Sequence, residues 1–343
     1  MARTNGTRAT LDAVATAAGV SKATVSKVLN GRPGVSGETR ERVREAMRRV
    51  GYSPTVGPRD PAPAGSVQVV FDTLVNPYAV HVLDGVLAGA EELGAEVVTS
   101  VLRPNGGART TPVGPAWLEQ LSARGRAGLI LVTSELTAEE IAACRRLGLG
   151  LVVVDPLNPL DENLVSVGAT NWAGGVQATE HLLSLGHRRI GYAGGPARSV
   201  PARERLHGYR EALESAGVPP APELALLDSF QPDAGRRMAD TLLDLADPPT
   251  AVFAGSDSIA MGVLAAARAR GLRVPGELSV VGFDDTYGTL WTDPPLTTVH
   301  QPLRDMGRVA VRTTLLLARG EKPDSHHVQL ATRLLVRGST APP

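Results

Sequence analysis

LDAVATAAGVSKATVSKVLN, residues Leu11–Asn30, holds two short helical patterns separated by a glycine turn. Leu11, Val14, Ala15 and Ala18 fall at helical spacing, and the run stops at Gly19. The second run opens on Ser21 as N-cap, turns Val25, Val28 and Leu29 inward, and ends before Gly31. Two short helices joined by a glycine-containing turn make a helix-turn-helix. Ala15 is small enough for a close helix crossing, Gly19 supplies the positive φ of the turn, and Val25 fills the angle between the helices. In such a motif the second helix enters the major groove and its first residues meet base edges. Its outward positions here are Lys22, Ala23, Ser26 and Lys27, with Thr24 and Asn30 placed toward phosphates. Only three lysines occur in the chain, Lys22, Lys27 and Lys322, so two of them sit on this one helix. Lysine and arginine meet a base differently, which makes that placement informative. The competing reading is a helical hairpin with a solvated face; spacing, turn and outward charge together favour double-stranded DNA.

The charge distribution agrees. Residues 1–60 hold 11 Lys+Arg and 5 Asp+Glu, and the remainder therefore holds 24 and 30 of the 35 of each sign. A basic end on an acidic body suits a protein that meets DNA with one end only. The single cysteine, Cys144, excludes a disulfide framework and reads as a buried, inert thiol. No apolar leader opens the sequence and no run reaches membrane-spanning length, so a cytoplasmic location without membrane contact is expected.

Residues 1–10 read as a basic arm, and Glu38–Val50 as a third helix with Val43, Ala46, Met47 and Val50 on its apolar stripe. From Ser66 the pattern changes to short β-branched runs alternating with amphipathic helices: strands at 67–71, 96–102, 128–132, 150–154, 190–194, 224–227, 251–255 and 278–283, and a last one near His327–Val336. Alternation of this kind predicts parallel sheets covered on both faces. The segment is too long for one sheet, which predicts two sheets with a cleft between them.

VSKATVSKVLNG (20–31) followed by VSGETRERVREAMRRVGYSP (35–54) resembles the DNA-binding headpiece of the lactose/galactose repressor family. Seven further blocks, in order, resemble that family's periplasmic-binding-protein-like sensor: FDTLVNPY (71–78), SVGATNWAGG (166–175), HLLSLGHRRIGYAGGP (181–196), RLHGYREAL (205–213), TAVFAGSDSIAMG (250–262), VPGELSVVGFDD (274–285) and PPLTTVHQP (294–302). The resemblance implies an all-α helix-turn-helix headpiece over 1–54, a linker over 55–65, and an α/β sensor over 66–339. The sensor would consist of two doubly wound parallel-sheet subdomains, about 66–168 with 301–324 and about 169–300 with 325–339. Three crossings near 168, 300 and 325 would join them. Lys22, Ala23 and Lys27 would read bases, with Ser21, Thr24 and Asn30 near the backbone. The family's hinge helix, with an alanine and a leucine that enter the minor groove, has no match: TVGPRDPAPAG (55–65) carries Pro58 and Pro61 at those positions, and Pro63 beyond. Those prolines favour an extended linker.

Position by position, the resemblance places effector contacts on Tyr78, Asp155, Asn171, Arg203, Arg205, Phe230, Ser256 and Asp284. Arg205 would fork onto vicinal hydroxyls, Asp155 and Asp284 would accept from them, and Phe230 would stack on a sugar face. Each has a plainer alternative: Asp155 and Asp284 as caps, Phe230 as core, Arg203 and Arg205 as surface. Ser256 stands where the family often has asparagine, which points to a different ligand.

No P-loop, dinucleotide glycine spacing, GxSxG elbow or HExxH occurs, and no metal or cofactor is expected. The sequence therefore reads as a transcriptional regulator of the repressor type, not an enzyme. A homodimer would bind a palindromic operator under control of a mono- or oligosaccharide. Three alternatives remain: a sugar sensor without specific operator binding, an enzyme on the same α/β scaffold, and control by a protein partner.

Overall fold

The computed structural model describes residues 10–29, 34–50, 65–101, 113–158, 164–219 and 221–343. Asn30, Gly31, the basic arm through residue 9 and linker residues 55–64 lie outside the described residues. The chain divides into two compact units, Met1–Pro63 and Ala64–Pro343.

In the first unit, α1 (Leu11–Ala18), α2 (Lys22–Leu29) and α3 (Gly37–Val50) enclose Val14, Ala15, Val25, Val43 and Ala46. Thr10 caps α1 by accepting from the Ala13 N–H, and Gly19 ends it at φ +64°. The Ser21 hydroxyl accepts from the Thr24 N–H at 3.1 Å, which is the N-cap its position predicted for α2. Two arginines of α3 have backbone partners. Arg49 donates to the Ala17 carbonyl at 2.7 Å and Arg40 to the Val35 carbonyl at 3.2 Å. Arg49 thus ties α3 to the carbonyl end of α1, where a cation is favoured.

The second unit runs β1 (Ser66–Phe71), α4 (Pro77–Leu93), β2 (Glu96–Val101), α5 (Pro115–Ala123), β3 (Arg126–Val132), α6 (Ala138–Arg146), β4 (Gly150–Val154) and β5 (Val165–Ala169). It continues with α7 (Asn171–Ser184), β6 (Ile190–Gly194), α8 (Val200–Ser215), β7 (Ala225–Leu227), α9 (Pro232–Leu243), β8 (Ala251–Ala254), α10 (Asp257–Ala269) and β9 (Ser279–Asp284). It closes with β10 (Thr297–His300), α11 (Leu303–Ala318), β11 (His327–Leu330) and β12 (Arg333–Leu335). Two six-stranded sheets result, in the orders β11-β5-β4-β3-β1-β2 and β12-β10-β9-β8-β6-β7. All pairs are parallel except β12 with β10. Strands such as GLVVV at β4 are apolar on both faces because helices cover both sides. The α4–α11 layer covers one face of the first sheet and α5–α6 the other, where Cys144 is buried. In the second sheet α9–α10 and α7–α8 take those places.

Helix pairs cross at glycines. A Cβ on Gly307 would meet the Val82 carbonyl of α4, one on Gly208 the Trp172 carbonyl of α7, and one on Gly262 the Pro232 carbonyl of α9. Backbones in contact bring each helix close enough to seal its sheet.

Two strands, β5 and β10, escaped the sequence reading: one is the short VSVGA run and the other is folded into PPLTTVHQP. The last predicted strand is corrected more substantially. His327–Val336 is two strands in two sheets, β11 beside β5 and β12 beside β10. The third crossing between subdomains therefore lies at Ala331–Thr332 instead of near 325. Pairing decides this, because HVQL and RLL look alike as composition. The Thr332 N–H donates to the Thr170 hydroxyl at 3.0 Å and its own hydroxyl to the Thr170 carbonyl at 3.1 Å. The first and third crossing segments are thereby fastened to each other.

Candidate functional site

The two sheets present their carboxyl ends to a shared cavity of about 210 Å³. Open α/β sheets place ligands at that edge, because loops there diverge from the strand ends. Of the eight predicted effector residues, Tyr78, Asp155, Arg205, Phe230, Ser256 and Asp284 line the cavity. Asn171 lies behind Arg205, and Arg203, half-buried on α8, is outside the lining. Thr133, Asp155, Asp284 and Asp285 all have positive φ, at +50°, +46°, +112° and +58°. Non-glycine residues in that region carry strain, and strain of this kind gathers at ligand sites. Three of these residues line the cavity; Asp285 directly follows Asp284.

The inner end is one hydrogen-bonded chain. Asp155 Oδ2 accepts from the Tyr78 hydroxyl at 2.7 Å and from Gln301 Nε2 at 2.8 Å. Gln301 Oε1 accepts from Arg205 Nη2 at 2.9 Å. Arg205 also donates from Nη1 to the Gly255 carbonyl at 2.7 Å and to Asp284 at 3.3 Å, and from Nε to Asn171 at 2.9 Å. Its guanidinium carbon lies 3.8 Å from the centroid of Phe283. Four of its five N–H groups are therefore taken by protein, and the fork onto vicinal hydroxyls is corrected. Arg205 is a strut that holds Asp284, Asn171 and Gln301 in place, with one N–H left to offer. Burial raises the pKa of Asp155 and pushes that of Asp284 well above the ordinary range, with Arg205 opposing both. Asp155 lifts the Tyr78 phenol further, after burial itself.

The plainer alternatives hold at some positions. Ser256 caps α10, accepting from the Ile259 N–H at 3.2 Å, while also lining the cavity. Phe230 packs partly on the α9–α10 core and presents its ring to the cavity over Gly195, where a Cβ would strike it. Asp155 and Asp284 accept from side chains as described, so they are not caps. Asn76 and Ser199 likewise cap α4 and α8 at the cavity wall. The N-termini of three helices, with their partial positive charge, thus border a site holding several carboxylates.

Gln301 was not singled out from the sequence. It follows β10 at the second crossing and is 1% exposed, and a polar side chain next to Pro302 was its only signal. Asp72, whose Oδ1 accepts from the Thr133 hydroxyl at 3.0 Å, was likewise passed over within FDTLVNPY.

On the headpiece, Lys22, Ala23, Ser26 and Lys27 are exposed on one helix and Thr24 is half-buried. Lys22 forms an ion pair with Asp12 at 2.9 Å, both side chains open to solvent. Such pairs are worth little, so Asp12 does not tie Lys22 down.

Comparison with known proteins bears on both parts of the chain. The profile described as bacterial regulatory proteins, lacI family, matches residues 10–55, and that of a periplasmic binding protein-like domain matches 179–340. The HTH-type transcriptional regulator DegA of Bacillus subtilis is 32% identical, over 98% of this chain and 99% of its own. A structure of the transcriptional regulator CelR in complex with cellobiose is 33% identical at a TM-score of 0.70, covering 97% of this chain and 100% of that one. The lac repressor dimer bound to operator and the anti-inducer ONPF superposes with a TM-score of 0.80 at 29% identity, covering 97% of this chain and 99% of that one. No helix among the described residues is long and apolar enough to cross a membrane. The chain belongs to the lacI family of bacterial regulatory proteins, and is a sequence-specific DNA-binding transcriptional regulator rather than an enzyme.

Proposed function

We propose that the cavity takes a mono- or oligosaccharide and that its occupancy sets the affinity of a homodimeric repressor for a palindromic operator. The observation that carries this reading is the cavity's composition. Buried carboxylates Asp155 and Asp284 at one end accept from hydroxyls, while the Phe230 ring at the other offers an apolar plate for the C–H face of a sugar. Asn171 and Arg205 act on the ligand chiefly by orienting Asp284. Arg203 has no part in it. The cellobiose bound by the related CelR supports a carbohydrate of this size class.

In the headpiece, Lys22, Ala23, Ser26 and Lys27 read the major groove. Ser21 and Thr24 meet phosphates, and so does Asn30, which lies beyond the described part of α2. The two lysines suit guanine O6 and N7. Closure about the three crossings transmits occupancy, provided the effector binds one subdomain arrangement better than the other. The test is selection of palindromic duplexes from a random pool at physiological salt, repeated with a panel of plant-derived sugars. Enrichment of one palindrome, released by one sugar, is expected. Sugar binding without enrichment would sink the operator part, and enrichment insensitive to every sugar would sink the effector part.

A further inference from the structure

His81 of α4 belongs to the first subdomain and Tyr287, in the one-turn 3-10 helix Tyr287–Leu290 after β9, to the second. Their rings are stacked, with centroids 5.5 Å apart and planes 14° apart. The Tyr287 backbone N–H also donates to His81 Nε2 at 3.3 Å. Tyr287 also packs against Trp291, with ring centroids 5.2 Å apart. One imidazole thus makes two contacts across the subdomain boundary, and the second needs Nε2 to be free of a proton.

Burial opposes protonation of His81, while the charges around it pull in both directions. Asp84, on the same helix, is bound to Arg304 of α11 at 2.6 Å. Asp285, beside Tyr287, is held by Arg337 at 2.6 Å and by His300 Nδ1 at 2.9 Å. Both carboxylates that would hold an imidazolium are engaged elsewhere, and Arg304 and His300 add positive potential. Burial, reinforced by those cations and resisted by the two carboxylates, lowers the His81 pKa from its ordinary 6.5.

We propose that His81 and Tyr287 form a proton-sensitive brace between the sensor subdomains, closed while the imidazole is neutral and released when it is protonated. Protonation sets an N–H against an N–H and removes the acceptor that joins Tyr287 to α4. By linkage, closing the subdomains expels a proton, and acidification favours the open arrangement. The brace requires no particular effector, so its failure and that of the sugar reading are separate results.

The experiment uses the full chain with spin labels at Glu139→Cys and Asp233→Cys, exposed positions of the first and second subdomain, diluted into unlabelled chain. Interspin distances are read at about pH 8 and about pH 5, on either side of the histidine range. In the wild type the ratio of long to short distances should rise on acidification by about fivefold, the scale of one hydrogen bond. His81→Gln keeps an acceptor that does not titrate and should stay short at both pH values. His81→Phe keeps the ring without an acceptor and should show the long population at both. A wild type indifferent to pH, a Gln variant that follows the wild type, or a Phe variant that stays short would each overturn the brace.

Discussion

Carboxylates taken out of water need donors in its place, and the two at the heart of this cleft are supplied by different means. Asp284 has the Arg205 guanidinium, while Asp155 has a phenol and the amide of Gln301. Gln301 serves both sides at once, donating to Asp155 and accepting from Arg205. Replacing it by leucine preserves bulk but leaves two buried charged groups each short of a partner. Gln301→Leu should therefore destabilise the sensor by about 1–3 kcal/mol or more, read as a lower denaturant midpoint at unchanged slope. An unchanged midpoint would mean that water takes over both bonds and that the buried chain described above matters little.

Helices matter here through the closeness of their crossings. Gly208 lies on the same helix as Arg205, and a Cβ there would run into the backbone of α7 at Trp172 and Val176. Gly208→Ala should push α8 away from α7, cost about 1–3 kcal/mol of stability, and move the Arg205 strut off Asn171 and Asp284. Effector affinity should fall together with the unfolding midpoint. Loss of stability with intact affinity would show that α8 can shift without carrying Arg205 along. Gly307 and Gly262 make equivalent crossings against α4 and α9, so the same change there should also lower stability.

Across the whole sensor, the chain end is stitched onto the second sheet by groups that titrate. His187 Nε2 donates to the Ala341 carbonyl at 2.9 Å, and its Nδ1 shares a hydrogen bond with the Thr250 hydroxyl at 2.8 Å. His181 bonds Thr340 at 3.0 Å nearby. Burial lowers both pKa values from 6.5. The unfolded chain then binds more protons than the folded one between the lowered values and 6.5, so stability is lost as pH falls through that window. Asp155 and Asp284 act in the opposite sense: their raised pKa values mean that the folded state binds more protons above 3.8, and stability falls as pH rises through their range. Denaturant midpoints of wild type and His187→Gln between about pH 7.5 and 5.5 separate the two effects, with the wild type losing more on acidification. Parallel curves would remove His187 from the account.

Local chemistry carried much of this protein into its sequence. The glycine turn, Ser21 cap and apolar spacing of Leu11–Leu29 dictate the helix-turn-helix because each acts within a few residues. The alternation of β-branched runs and amphipathic helices likewise dictates parallel sheets covered on both sides. The family resemblance marked Asp155, Phe230 and Asp284 for the cleft. What the sequence left open depended on distant partners. HVQL and RLL are equivalent as composition, and only pairing with β5 and β10 sends them to different sheets. Arg205 looks like a ligand fork until Asn171, Gly255, Asp284 and Gln301 are brought around it from four other segments. Gln301 itself carries no local signal beyond a polar side chain beside Pro302, because its meaning lies in two side chains that reach it from opposite sides of the cleft. Short-range forces are written in neighbouring residues, whereas the satisfaction of a buried charge is settled only when the chain has closed around it.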